Sequence, residues 1–417
     1  MTSFARFVRR YWYALLAFFV LSVIFSIREA QTQDANGDAY IYWEVGGKFL
    51  NDQPLYDPVP GSQEFLYPPI AVLFCQFLAL FPFPVAVGLF TFLNFMAWLA
   101  LLWLTYRFLD IYFPGAALQS AMLVGAVATI RYFWHNIVWV NVNELVALAS
   151  IGGLYWYLKG RQTIGLGLLT LATWVKVMPL LLIGILFIRR PRHTISWVLV
   201  FSGSFAIILF GFRGVSQGVQ DYFDYWHITF RPFLLGGKVF TDWIAFGISA
   251  TLSKLLTAHP DINGVRYHIV SWPPALVGKI SLVIRLILVS TTCYYAWRTR
   301  RQKIVPLSVL LTTYLTMLLV AGVSWEGHHV TLLLVITGLY QRLTEIGLLR
   351  LRRWFAIISI GVGLMTSDLL GGHLSDYVQA FSLITYNVLF LYIIAVWVNQ
   401  RLTTTEHQIS MNTTTAA

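Results

Sequence analysis

Apolar runs close to or above the length that spans a bilayer recur from one end of this chain to the other, separated by short basic or polar breaks. A run of about 18 apolar residues reads as a membrane span. In hydrocarbon the backbone must satisfy its own hydrogen bonds, which leaves helices as the fold for runs of this length. Composition agrees. Only 11% of the 417 residues are charged and 58% are hydrophobic, against about 25% charged in a soluble domain. The sequence predicts an all-α polytopic membrane protein, a bundle of about 10–12 transmembrane helices embedded in a lipid bilayer.

The formal charge of +11 does not point to nucleic acid, because the basic residues are scattered between apolar runs. Cytoplasmic flanks of membrane helices account for them. Cys75 and Cys293 both lie inside apolar runs and support neither a disulfide framework nor a metal site. No cofactor is expected.

Arg6, Arg9 and Arg10 precede the first apolar run, residues 11–27. The positive-inside rule then makes both termini cytoplasmic and puts residues 34–69 outside the plasma membrane. Residues 68–81 are too short for a span and are expected to stay on the outer side. Residues 163–188 lie between two basic clusters, Lys159 with Arg161 and Arg189 with Arg190 and Arg192. One span would put the clusters on opposite sides. Two half-helices meeting at Lys176 and Pro179 would put both inside, and the charge rule favours that hairpin. The chain reads as one transmembrane domain, 1–398. It has an external loop at 28–67, a second external segment at 212–275 and a disordered cytoplasmic tail at 399–417.

The first loop concentrates the polarity. Residues 34–69 hold ten acidic or amide side chains, four tyrosines and five prolines. Asp38 opens a stretch that can form a surface helix, so it is either an N-cap or a general base. A carboxylate in reach of a sugar hydroxyl removes its proton as the new bond forms. Asp34 is its rival. Tyr40, Tyr42, Tyr56 and Tyr67 are candidates for a sugar-stacking platform. Farther on, Asn141 and Asn143 sit in a polar tip and either bind a sugar or satisfy backbone where two helices meet. Lys176 is an intramembrane cation and needs a partner, either a phosphate or an internal ion pair. Arg285 lies midway along its run, where snorkelling is hard. Arg131 lies near the outer end of its run and is expected to reach the headgroups. His328 and His329 sit in an outer turn, as donors to a phosphate or hydroxyl or as structural side chains. No spacing here demands a metal.

Four segments in order resemble glycosyltransferase family 87. They are Gly37-Asp38 with Tyr40, Tyr42, Pro54-Leu55-Tyr56 and Phe65 to Pro69; Val140-Asn141-Val142-Asn143-Glu144, where Val140-Asn141 replaces the family's Gly-Gln; Gly160-Arg161 through Lys176 and Pro179, with two residues between the Lys and Pro that adjoin in the family; and Ser324-Trp325 with His328. The resemblance covers residues 30–345. It implies a GT-C-type fold, a polyprenyl-phosphate sugar donor such as polyprenyl-phosphate mannose, a glycolipid or glycan acceptor, and a base in the first loop. Two other classes stay in view. A lipid-linked-sugar transporter or flippase would carry an internal repeat with broken helices in matching positions, and none is found. An envelope polysaccharide polymerase would centre on a large late external loop.

Overall fold

The computed structural model describes residues 3–33, 37–56, 64–234, 245–258, 267–322 and 324–414. Among them the regular elements are helical, and extended pairing is limited to a bridge between Ala245 and Trp325. The protein is an all-α polytopic membrane protein.

The first third is built from α1 (Ser3–Thr32), α2 (Asp38–Leu50), a 3-10 turn (Pro69–Ala71) leading into α3 (Val72–Ala79), α4 (Phe83–Leu109) and α5 (Gln119–Trp139). Proline starts several helices. Pro69 opens the 3-10 turn, and Pro82 stands just before α4, positions where a missing N–H costs nothing. Helices α2 and α3 fold back on each other. A side chain at Gly46 would overlap the Cys75 carbonyl, so glycine is what lets the two backbones meet. Trp43 Nε1 donates to the Phe81 carbonyl at 2.9 Å. Residues 68–81 therefore stay at the end of the bundle where α4 begins, as their length suggested.

The middle third holds α6 (Asn143–Leu158), α7 (Gln162–Val175), α8 (Leu180–Arg189), α9 (Pro191–Arg213) and α10 (Val215–Asp224). A π-helical turn (Tyr225–Phe230), α11 (Arg231–Leu234) and α12 (Ile248–Leu256) follow. Helices α7 and α8 are the expected hairpin. Arg190 donates to Gln162 Oε1 at 3.0 Å, so the far ends of the two half-helices meet. The break falls at Lys176, whose backbone is extended at φ −150°. Pro179 enforces it by removing a donor and disfavouring helix in the residue before it.

The last third holds α13 (Pro274–Arg298), α14 (Leu307–Val320), a 3-10 turn (Glu326–Thr331), α15 (Leu332–Glu345), α16 (Leu349–Leu364), α17 (Ser367–Leu370), α18 (Gly372–Ala380) and α19 (Leu383–Thr414). Helices α14 and α15 are the axis of the main core and are buried along nearly their whole length. At 14 residues each they rise about 21 Å, short of the roughly 30 Å of hydrocarbon. Among the described residues α4, α9 and α13 are long and apolar enough to cross a membrane alone, and the bent pair α18–α19 makes a fourth if it is one span. Helix α19 continues to Thr414, through the segment expected to be disordered. No glycine or proline interrupts it.

Contacts sort the loops to two ends. Arg189 donates to the carbonyls of Thr299 and Gln302, Tyr112 Oη to that of Val305, and the Arg342 guanidinium lies 4.9 Å over the Phe113 ring. Those contacts gather the basic loops at one end. At the other, Gln33 reaches the Val138 carbonyl and Arg213 the Gln53 carbonyl. The polar side chains of the first loop, the α5–α6 turn and the 3-10 turn of Glu326 lie at this second end.

Candidate active site

Asp38 is the first residue of α2. Gly37 holds the cap position, and among the described residues no side chain caps the helix. The Asp38 carboxylate is therefore not used as a cap. Its Oδ2 instead accepts a hydrogen bond from Asn141 Nδ2. The side chain is buried, and burial pushes its pKa up to about 6, while the Lys176 ammonium and the Asn141 bond act against that rise.

Asn141 is held by the turn between α5 and α6. Val140 adopts a left-handed conformation, φ 51° and ψ 52°, which is an outlier for a β-branched residue. Helices that end in such a residue usually place glycine there. Asn94 Nδ2, on α4, donates to the Asn141 carbonyl at 2.8 Å, and Asn141 Oδ1 accepts from the Val142 N–H at 2.8 Å. Backbone strain and two hydrogen bonds thus aim one amide at Asp38.

Lys176 comes from the hairpin tip. Its Nζ donates to Asn143 Oδ1 at 2.7 Å and sits 5.2 Å from the centroid of the Tyr67 ring. It faces both Asp38 and Glu144. Asn143 Nδ2 donates to Asn136 Oδ1 at 2.8 Å, and Asn136 Nδ2 donates to the Gly327 carbonyl at 3.0 Å. A chain of amides thus links Lys176 to the 3-10 turn that carries the histidines. Glu144 is buried at the start of α6, and neither of its carboxylate oxygens has a partner among the described residues.

The tyrosines divide. Tyr42 Oη and Tyr67 Oη share a 2.6 Å hydrogen bond, and Tyr56 Oη donates to the Tyr67 carbonyl at 2.7 Å. All three are buried. Tyr67 faces the cluster, and Tyr42 and Tyr56 brace it. Tyr40 points elsewhere and packs with Trp43 and Phe83. Residues two apart on a helix do not share a face, so one helix could not aim both Tyr40 and Tyr42 at one site. Asp34 lies outside the described residues.

His328 Nδ1 accepts from the Trp325 N–H at 2.8 Å, and its Nε2 is buried without a partner among the described residues. Burial and the nearby Lys176 charge hold its imidazole neutral. His329 packs its ring against Tyr132 and Phe246, and burial lowers its pKa to about 4. His328 adjoins the cluster, and His329 is a core side chain. No polar contact joins Arg285 to this group among the described residues.

Arg131 corrects the expectation of a headgroup anchor. It is buried, and its guanidinium forms a two-point pair with Glu326, one bond at 3.0 Å, and also donates to the Met365 carbonyl. Arg131 ties α5 to the histidine turn and to the end of α16. Its position on one helix carried no trace of a partner 195 residues away.

An apolar groove of about 220 Å³ opens beside the cluster. Tyr42 and Tyr67 line it together with Ala71, Phe74, Leu145, Val146, Ala149 and Leu171. An apolar groove with a cation 5.2 Å from the ring of one of its lining tyrosines suits an amphiphile with an anionic end.

These features define an integral-membrane protein with a polar, charge-bearing site at one end of a helical bundle. The family model for Glycosyltransferase family 87 matches residues 65–322, and the chain belongs to that family. It is a membrane glycosyltransferase. No curated protein and no solved structure matches it. Lys176, Asn141, Asn143, Tyr67 and Arg285 fall within the matched residues, while Asp38 precedes them and His328 follows them.

Proposed function

We propose that this enzyme transfers a hexose or pentose, with mannose the first to test, from a polyprenyl-phosphate donor to a hydroxyl of an envelope glycolipid or glycan. The reaction takes place on the outer face of the plasma membrane. One observation carries the reading. Lys176 lies 5.2 Å from the ring of Tyr67, which lines the apolar groove, and within electrostatic reach of Asp38, with Asn141 and Asn143 on the same turn holding one each.

The groove takes the first isoprenoid units of the donor. Lys176 exchanges its bond to Asn143 for the donor phosphate and stabilises the charge that develops as the phosphate leaves. Asp38 takes the proton of the acceptor hydroxyl. The hydroxyl oxygen forms its bond to the anomeric carbon as the carbon–oxygen bond to phosphate breaks. Polyprenyl phosphate departs with that electron pair, and in-line attack inverts the anomeric centre. The basic loops at the opposite end support a cytoplasmic position for that end.

The test is transfer by purified protein in lipid, with labelled sugar offered as polyprenyl phosphate or as a sugar nucleotide. Transfer from the lipid donor is expected. Transfer from the nucleotide alone would overturn the donor assignment.

A further inference from the structure

Helix α10 and the π-helical turn after it present three distinct faces. Val215, Val219, Phe223 and Trp226 form one, with relative exposures of 67%, 53%, 58% and 41%. They follow one another at four, four and three residues, the spacing of a single helical stripe. Ser216, Gln220, Asp224 and His227 form a second, polar face, with Gln220 donating to Asp224 at 2.7 Å. Gly218, Asp221 and Thr229 are buried and Tyr225 partly so, and together they form the third.

Helix α10 follows α9 after Gly214, and on α9 Ile207 and Phe212 are likewise exposed. Helix α9 is one of the helices long and apolar enough to span a membrane. A helix with one apolar face, one polar face and a tryptophan lies in the plane of the membrane interface.

We infer that α10 and the π-helical turn lie in the bilayer interface, with Val215, Val219, Phe223 and Trp226 in lipid and Ser216, Gln220 and His227 in water. The third face gives this placement a consequence. Asp221 accepts from Arg213 at 2.9 and 3.3 Å, and Arg213 in turn donates to the Gln53 carbonyl at 2.6 Å and lies 5.4 Å over the Phe49 ring. Tyr225 packs on Tyr56, 5.8 Å between centroids. The interfacial helix therefore holds the end of α2 and the Tyr56 brace of Tyr67, and sets their depth relative to the bilayer surface. The lipid placement itself holds whatever donor or sugar the enzyme uses.

The test is nitroxide scanning in lipid nanodiscs. Single cysteines replace Val219, Phe223, Ser216 and Gln220 one at a time, on a background with Cys75→Ala and Cys293→Ala that keeps the wild-type Tm. All four positions are exposed, so the labels leave the core intact. At 219 and 223, collision with oxygen should exceed collision with a water-soluble nickel chelate several-fold. At 216 and 220 the order should reverse. Nickel access at 219 and 223 equal to that at 216 and 220 would overturn the placement. So would immobilised spectra shielded from both reagents, which would mean that a protein partner or a second copy covers the ridge.

Discussion

The Lys176 ammonium lies 2.7 Å from Asn143 Oδ1 and 5.2 Å from the centre of the Tyr67 ring, held by neutral groups and, among the described residues, not by a direct ion pair. Such a cation is free to exchange an amide for an anion. Lys176→Met should raise the donor KM or Kd at least tenfold. Arg107→Ala, at the far end of α4, should change it less than twofold. Equal effects would remove Lys176 from the donor site. Binding of a non-transferable polyprenyl-phosphate analogue, measured beside Tm, separates loss of binding from loss of fold.

The pH dependence follows from Asp38. Burial raises its pKa to about 6, and a base must be deprotonated to act. The fraction in that form falls as pH drops through 6, so kcat/KM should fall with it and reach half its plateau near pH 6. The Lys176 charge opposes the rise. Residual activity of Lys176→Met should therefore lose its plateau at a higher pH than wild type. A limb that stays put in that variant would mean that the two groups are not coupled.

Topology can be read by labelling. Arg190 and Gln162 are bonded at one end of the bundle, while exposed Gln220 belongs to the other. On a Cys75→Ala, Cys293→Ala background, an impermeant thiol reagent added outside cells should modify Gln220→Cys and leave Arg161→Cys and Arg190→Cys untouched. Opposite behaviour of the cysteines at 161 and 190 would contradict the hairpin itself.

The Arg131–Glu326 pair is buried on both sides. Removing one partner leaves a buried charge without its counter-ion, which costs about 3–5 kcal/mol. Arg131→Met should therefore lower Tm strongly in detergent. Arg131→Met with Glu326→Leu should recover most of the loss, because an apolar pair of similar size can replace a buried ion pair. A double variant as unstable as the single one would assign the effect to the lost bond to the Met365 carbonyl.

Much of this was legible in the sequence, for identifiable reasons. Hydropathy marks spans, and basic residues mark one end, so the α7–α8 hairpin and the end of the bundle at which residues 68–81 remain could be worked out from parity. Lys176 stood out because a charge among apolar runs is costly, and Asp38, Asn141 and Asn143 because they lie in the polar segments between those runs. Pairings over long separations were not legible. Nothing near Arg131 announces Glu326, and nothing near Arg213 announces Gln53. Asn136 was missed as the link from Asn143 to Gly327, since an asparagine near a helix end reads first as a local cap. Arg285 shows the opposite limit. Its mid-span position signals a need for a partner but not which face of the bundle its helix presents to the site. Tyr40 and Tyr42 were grouped by type, and helix geometry separates them.

The central claim is that Asp38 is the base, and Asp38→Asn tests it most directly. The amide keeps the size of the side chain and can still accept the Asn141 hydrogen bond, but it cannot take a proton at neutral pH. Transfer from a polyprenyl-phosphate sugar by the purified variant in lipid should fall about 10²–10⁴-fold, with donor affinity and Tm near wild type. Near-normal turnover in Asp38→Asn would contradict the account and move the base to Glu144, the neighbouring carboxylate that faces Lys176.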